Sequence, residues 1–314
     1  MSQHLKGYLY GCIAAVSYGV NPICAKYLYQ DGYNSNSVLF YRFLFGSVML
    51  GLLMLVQRKS FAITRREGKV LSLLGAVFAV SSLTYFLSFH YMSAGVAATL
   101  VFAYPVFTAM LMAFFFKERL KWPSLLAMLL TVGGIVLLYK DDSGRAIALM
   151  GIVLILVSAL SYAIYIIVVN RSGIVMSSVK LTFYAMSSCL VCLTLYALLT
   201  PTGELQMLHT PMQWGMALTL GLVPTVISLV FMAMAIRCIG STPTAIMGAL
   251  EPVTAAVLGI MLFGEVMTLR IACGIMLILL SVIMIILDDK LRRALANVRV
   301  VRRGRLFIKK IRWR

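Results

Sequence analysis

Runs of about twenty residues without a single charge recur along the whole chain. Examples are VLSLLGAVFAVSSLTYFLSF (70–89) and AIALMGIVLILVSALSYAIYIIVVN (146–170). A helix needs ~20 apolar residues to cross a bilayer, and in hydrocarbon only helices and closed barrels satisfy their own backbone. The expected class is therefore an all-α membrane protein. Composition agrees, with 61% hydrophobic and 12% charged residues, against about 25% charged in a soluble domain. Ten transmembrane helices are expected, near 7–28, 37–56, 70–91, 95–116, 122–139, 147–169, 178–199, 213–236, 243–263 and 269–287. MSQHLK leads straight into the first apolar run, so that run is expected to be a retained span.

The net charge of +18 does not point to nucleic acid, because eleven of the 28 Lys and Arg fall in residues 288–314. A basic tail beside a spanning helix suits anionic lipid headgroups, either as an amphipathic surface helix or as an unstructured orientation signal. Between spans, Lys6, Arg58, Lys59, Arg65, Arg66, Lys69, Lys117, Arg119, Lys121, Arg171, Lys180 and Arg237 collect on one side. Lys140, Arg145 and Arg270 fall on the other. Positive loops stay inside, so both termini are expected to be cytoplasmic, in a bacterial inner membrane. Cys189 and Cys192 form a CxxC without neighbouring histidines and are read as packing. No metal or cofactor is expected.

Shifted by 147 positions, FAYPVFTAMLMAFFFKE (102–118) lies over ALEPVTAAVLGIMLFGE (249–265). Pro105 then matches Pro252, Tyr104 matches Glu251, and Glu118 matches Glu265. AAVSYG (14–19) echoes SALSYA (158–163) at a shift of 144. A unit of five spans, being odd, inserts its second copy upside down. The expectation is two inverted five-helix repeats, 1–143 and 144–287, followed by the tail at 288–314. Inverted repeats are the architecture of many secondary transporters.

SYGVNP with a later Lys in the first span, YP and KE around the fourth, and LEPV and GE around the ninth resemble the EamA-type branch of the drug/metabolite transporter superfamily. The resemblance covers both repeats in order. It implies a ten-helix inverted repeat and transport of a small metabolite, often export of an amino acid or related compound. Tyr18 and Tyr162 stand where the family usually shows tryptophan.

Glu251 is the single carboxylate near the middle of any span, and Pro252 follows it directly. Insertion scales put a central charge at ~3 kcal/mol, while proline removes one helical hydrogen bond and kinks the chain. Glu251 is thus the candidate for proton coupling or for holding a substrate amine. A purely structural carboxyl is the alternative. Tyr104, its partner by the repeat, offers a ring and one hydrogen bond. Ser17, Tyr18 and Asn21, with their echoes Ser161, Tyr162 and Tyr165, complete the candidate substrate-binding set. Pro22, Pro105 and Pro252 are the candidate hinges. Lys26 and Arg42 are explained by snorkelling to the outer surface, with anion attraction as the lesser account. His90, Glu118 and Glu265 are read as interfacial or helix-end groups.

A secondary transporter working as a monomer by alternating access is the favoured function, with a weakly charged metabolite as substrate and export as the direction. Efflux of lipophilic cations is the runner-up. A membrane-embedded enzyme lacks a central histidine or a second midspan carboxylate, and no phosphate loop is present.

Overall fold

The computed structural model describes residues 3–88, 90–91, 97, 100–117, 122–138, 149–200, 204–263 and scattered positions from 269 to 284. The basic tail, Glu118, Glu265 and the connection around Asp141 lie outside the described residues. Among those described, the regular structure is helical: α1 Gln3–Tyr18, α2 Asn21–Gln30, α3 Ser35–Val56, α4 Arg65–Ser88, α5 Tyr104–Phe116, α6 Trp122–Leu138, α7 Leu149–Arg171, α8 Ser178–Leu199, α9 Pro211–Gly221, a π-helix Leu222–Ile227, α10 Ser228–Ile239, α11 Ser241–Met247 and α12 Leu250–Phe263.

Five stretches are long and apolar enough to cross a membrane: Ser35–Val56, Arg65–Ser88, Leu149–Arg171, Ser178–Leu199 and Pro211–Ile239. They coincide with five of the ten expected segments. Two others, 7–28 and 243–263, are each split into two helices, and the described helix of the fourth begins only at Tyr104. The cause is proline. Pro22, Pro105 and Pro252 lack an N–H, and their rings clash with the preceding turn. Short i→i−3 bonds replace helical ones beside each, namely Val20 to Ser17, Ala103 to Leu100, and Ala249 to Ile246.

The body has an apolar core and an apolar exterior as well. Large apolar side chains such as Leu52, Val56, Phe114, Leu129 and Leu198 are exposed, as expected of a lipid-facing belt. Contacts between helices rely on small residues and on hydroxyls that reach across. Ser81 Oγ donates to the Ser158 carbonyl at 3.0 Å, and Ser158 Oγ returns the bond to the Ser81 carbonyl at 2.7 Å, stitching α4 to α7.

Helix direction follows from the connections. At one end Tyr33 donates to the Met207 carbonyl at 2.7 Å and Tyr41 to that of Gln206 at 3.0 Å. In the same cluster Gln213 Nε2 donates to Asp31 at 3.0 Å. Thr210 and Gln213 form a capping box that starts α9 there. At the opposite end Lys180 Nζ donates to the Ala62 carbonyl at 2.6 Å, Tyr184 to that of Phe61, and Arg237 to that of Met176. So α3 and α8 run antiparallel, as do α4 and the α9–α10 stretch.

Close approach of α4 and α8 depends on Gly75. A Cβ there would lie 2.6 Å from the Ala185 carbonyl oxygen and 2.7 Å from the Cys189 nitrogen. Gly215 has open space around it. Gly75→Ala is expected to destabilise by about 1–3 kcal/mol, because backbone must move. Gly215→Ala should be neutral or slightly stabilising, alanine being the better helix former by ~1 kcal/mol. Thermal unfolding of the purified variants in detergent checks the pair, and equal midpoints would contradict the α4–α8 packing.

Candidate functional site

The three proline-associated breaks meet in the interior. Residues 18–22, 101–104 and 251–255 contribute to the lining of two small adjoining cavities. Tyr18, Arg42, Ser81, Tyr104, Ser158, Tyr162 and Glu251 border the first, while Tyr18, Asn21, Phe102, Glu251 and Pro252 border the second. Glycine permits the convergence. A Cβ on Gly19 would lie 2.7 Å from the Glu251 carbonyl oxygen, and one on Gly248 would lie 1.7 Å from the Tyr104 hydroxyl. Backbone of one break therefore rests directly on another.

Glu251, 6% exposed, sits in the first turn of α12. It accepts a long hydrogen bond from the Tyr104 hydroxyl, 3.4 Å from Oε1. The two positions that the 147-residue shift matched thus touch. Tyrosine rings form the surrounding wall. Tyr104 meets Tyr162 edge-on at 4.8 Å, Tyr162 lies parallel to Tyr18 at 6.2 Å, and Tyr165 backs Tyr162 at 6.2 Å. The Tyr162 hydroxyl contacts Met232 Sδ at 3.1 Å. Such rings give apolar faces that carry a polar edge, and each pair adds about 0.5–1.5 kcal/mol beyond burial.

Of the expected binding residues, Tyr18, Asn21, Tyr104, Tyr162 and Glu251 come together here. Ser17, Ser161 and Tyr165 do not border either cavity. The turn at Gly19–Val20 breaks the helical register that would have put Ser17 beside Asn21. On α7, Ser158 rather than Ser161 shares the cavity-facing side with Tyr162, one turn away.

Two features escape a reading by composition. Arg42 does not snorkel: it is 0% exposed, and its guanidinium borders the cavity. Nε donates to Thr225 Oγ1 at 2.9 Å, and the guanidinium carbon lies 5.4 Å from the Tyr18 ring centroid and 5.1 Å from that of Phe43. Nη1 and Nη2 are buried without a hydrogen-bond acceptor, and so is the acceptor Asn21 Oδ1 without a donor. Two desolvated cation–π contacts supply ~2 kcal/mol each, which is comparable to, and no greater than, the several kcal/mol lost on burying the charge. The second missed feature is the π-helix around Pro224, where Thr225 Oγ1 also donates to the Leu220 carbonyl at 2.9 Å. A proline in the middle of an uncharged run was its visible signal. Lys26, by contrast, is exposed and away from both cavities.

A multi-pass membrane protein whose broken helices surround cavities bordered by buried charged and polar side chains has the build of a transport protein. The chain belongs to the EamA-like transporter family, whose model matches residues 5–140 and again 149–287; it is a transporter and not an enzyme. The transporter YcbK of Bacillus subtilis (strain 168) is 26% identical over 281 residues, covering 85% of this chain and 89% of that one. The S-adenosylmethionine uptake transporter of Rickettsia conorii is 27% identical, covering 92% and 97%. The inner membrane transporter YicL of Salmonella typhimurium is 28% identical, covering 94% and 100%. A solved crystal structure superposes with a TM-score of 0.77 at 16% identity, over 92% of this chain and 99% of that one, which shows a shared fold.

The Tyr104–Gly248 contact is testable by stability alone. Gly248→Ala is expected to destabilise by about 1–3 kcal/mol. Tyr104→Phe removes the hydroxyl that the new methyl meets and should recover at least ~1 kcal/mol of that loss. Unfolding of the single and double variants measures the coupling, and strictly additive losses would refute the contact.

Proposed function

We propose that this protein moves a small metabolite of the amino-acid type across the bacterial inner membrane by alternating access, through the cavity between the three helix breaks. Its ten spans form two inverted five-helix repeats, and Pro22, Pro105 and Pro252 are the hinges. The observation that carries the reading is the convergence of these breaks on two adjoining cavities bordered by the buried Glu251, Arg42 and Asn21. Supporting the inversion, α3 and its expected counterpart α8 run in opposite directions, as do α4 and the α9–α10 stretch. The duplicate family match to 5–140 and 149–287 is of the same kind.

Glu251 is the coupling group. As the buried carboxylate of the cavity, with one long hydrogen bond to Tyr104, it exchanges its proton when the cavity opens and holds a substrate amine when it is ionised. A charge at that depth is unfavourable unless compensated, so loading and release of either partner bias which side is open. Relatives in Rickettsia are named for uptake of S-adenosylmethionine, a compound with an amino-acid end, which fits a solute of this class. Export is the direction that the family resemblance implies, and uptake is the role for which those relatives are named.

Proteoliposomes loaded with labelled amino acids or S-adenosylmethionine, with solute inside or outside and a pH gradient imposed, assign substrate and direction together. Glu251→Gln is expected to cut flux at least about tenfold, the scale of one transition-state interaction, and to abolish its response to the gradient. Normal gradient-dependent flux in that variant would remove Glu251 from the mechanism. For topology, single cysteines at Ser60 and Glu204 should label from opposite faces of intact cells. Labelling from one face contradicts the proposed crossing.

A further inference from the structure

We infer that Arg42 is the receptor for the carboxylate of a zwitterionic solute whose ammonium group is taken by Glu251 and Asn21. The inference rests on the transporter reading and narrows it to solutes that carry both charges.

The cavity holds unused hydrogen-bonding capacity of two opposite kinds. Arg42 brings two donor nitrogens, Nη1 and Nη2, that meet no acceptor although the side chain is fully buried. Its third donor, Nε, is occupied by Thr225 at 2.9 Å, which fixes the plane of the guanidinium. The paired Nη groups are the fork that matches a carboxylate, and buried guanidinium is the usual choice for such planar recognition. Glu251 and the unpartnered Oδ1 of Asn21 supply acceptors only. Tyr18 borders both cavities and lies between these sets chemically, with Arg42 over its ring. Among the described residues no hydrogen bond joins Arg42 to Glu251, so each remains available to a third party.

A role for Arg42 limited to packing would need only a side chain that fills the space and bonds Thr225. A neutral glutamine does the latter without a buried charge. Nor does a lipophilic cation suit the site, since Glu251 could take its charge but Arg42, in the same cavity wall, would be left facing a second cation with Nη1 and Nη2 still unpaired. A molecule with a carboxylate at one end and an ammonium at the other offers partners to Arg42 Nη1 and Nη2 and to Asn21 Oδ1 at once. Satisfying them also gives selectivity, because a site built for a charged group strongly rejects an analogue that lacks it.

The test uses purified full-length protein and the twenty L-amino acids, each compared with its α-amide, in thermal-shift titrations. At least one acid is expected to bind about tenfold or more tighter than its amide. In Arg42→Gln, acid affinity should fall about 30-fold or more, the scale for truncating a buried charge pair, and the acid–amide ratio should collapse toward unity. Arg42→Lys, which keeps the charge but not the fork, should retain part of the preference. Without ligand, Arg42→Gln should unfold at the same or a higher temperature, whereas a merely structural arginine would leave it less stable. Equal binding of acid and amide, a preference that survives Arg42→Gln, or no stabilisation by any acid each overturns the proposal. Should Arg42→Gln not purify, the acid–amide comparison on the wild type and Arg42→Lys decides. The two readings fail separately. Acid-selective binding without flux in proteoliposomes sinks only the transporter mechanism, while amide flux as fast as acid flux sinks only the Arg42 site.

Discussion

In hydrocarbon every backbone N–H and C=O must find a partner within the protein, and the rest of this structure depends on how three prolines are reconciled with that demand. Each proline leaves a carbonyl of the preceding turn without its helical donor. On a lipid-facing surface such a break would be strongly unfavourable. Here the breaks at 19–20, 102–103 and 248–249 are turned inward and laid against one another. Gly19 over the Glu251 carbonyl and Gly248 under the Tyr104 hydroxyl are the points of contact. Polar backbone at membrane depth is thereby covered by protein, and the space that remains between imperfectly packed turns becomes the cavity.

The same reasoning explains why the charged residues are where they are. Arg42 and Glu251 lie far apart in sequence, on α3 and α12, and neither sits in a loop. Both face the place where helices are interrupted and a solvating partner can enter. Arg42 is further tied to Thr225 in the π-helix. That link connects the cavity to a stretch whose own hydrogen bonding is already altered by Pro224. A π-helix within a long span widens the helix and is frequent at functional sites. Any shift of α9 against α10 is therefore felt at the guanidinium.

How much of this was legible in sequence divides along physical lines. Spans were legible because burial in lipid demands apolar length, and five of the expected segments appear as continuous helical stretches close to the expected extent. Glu251 with Pro252, and Tyr104 with Pro105, stood out because a costly residue beside a helix breaker is rare in an apolar run. Arg42 was misread because snorkelling and burial look alike without knowledge of which way a helix face points. α3 turns that face inward against Tyr18 and Thr225. Ser17 and Ser161 were misplaced for a smaller reason. Helical spacing was extended across a break in the first case, and in the second the cavity side of α7 runs through Ser158 and Tyr162 and not Ser161; sequence records neither the local unwinding nor which side of α7 faces inward.

An inverted repeat, as proposed, makes the two halves alike in shape but need not make them alike in chemistry. Position for position, Tyr104 of one half stands where Glu251 stands in the other, and the two meet at 3.4 Å. A second carboxylate at that spot would place like charges side by side, and only one would ionise. Tyrosine instead gives a neutral donor, which in the proposed mechanism lets the single carboxylate take either a proton or an amine. Charge in the cavity is asymmetric for the same reason, with donors concentrated on α3 and acceptors on α2 and α12. In the proposed mechanism a solute with two different ends then enters in only one orientation, which two halves of similar shape alone would not impose.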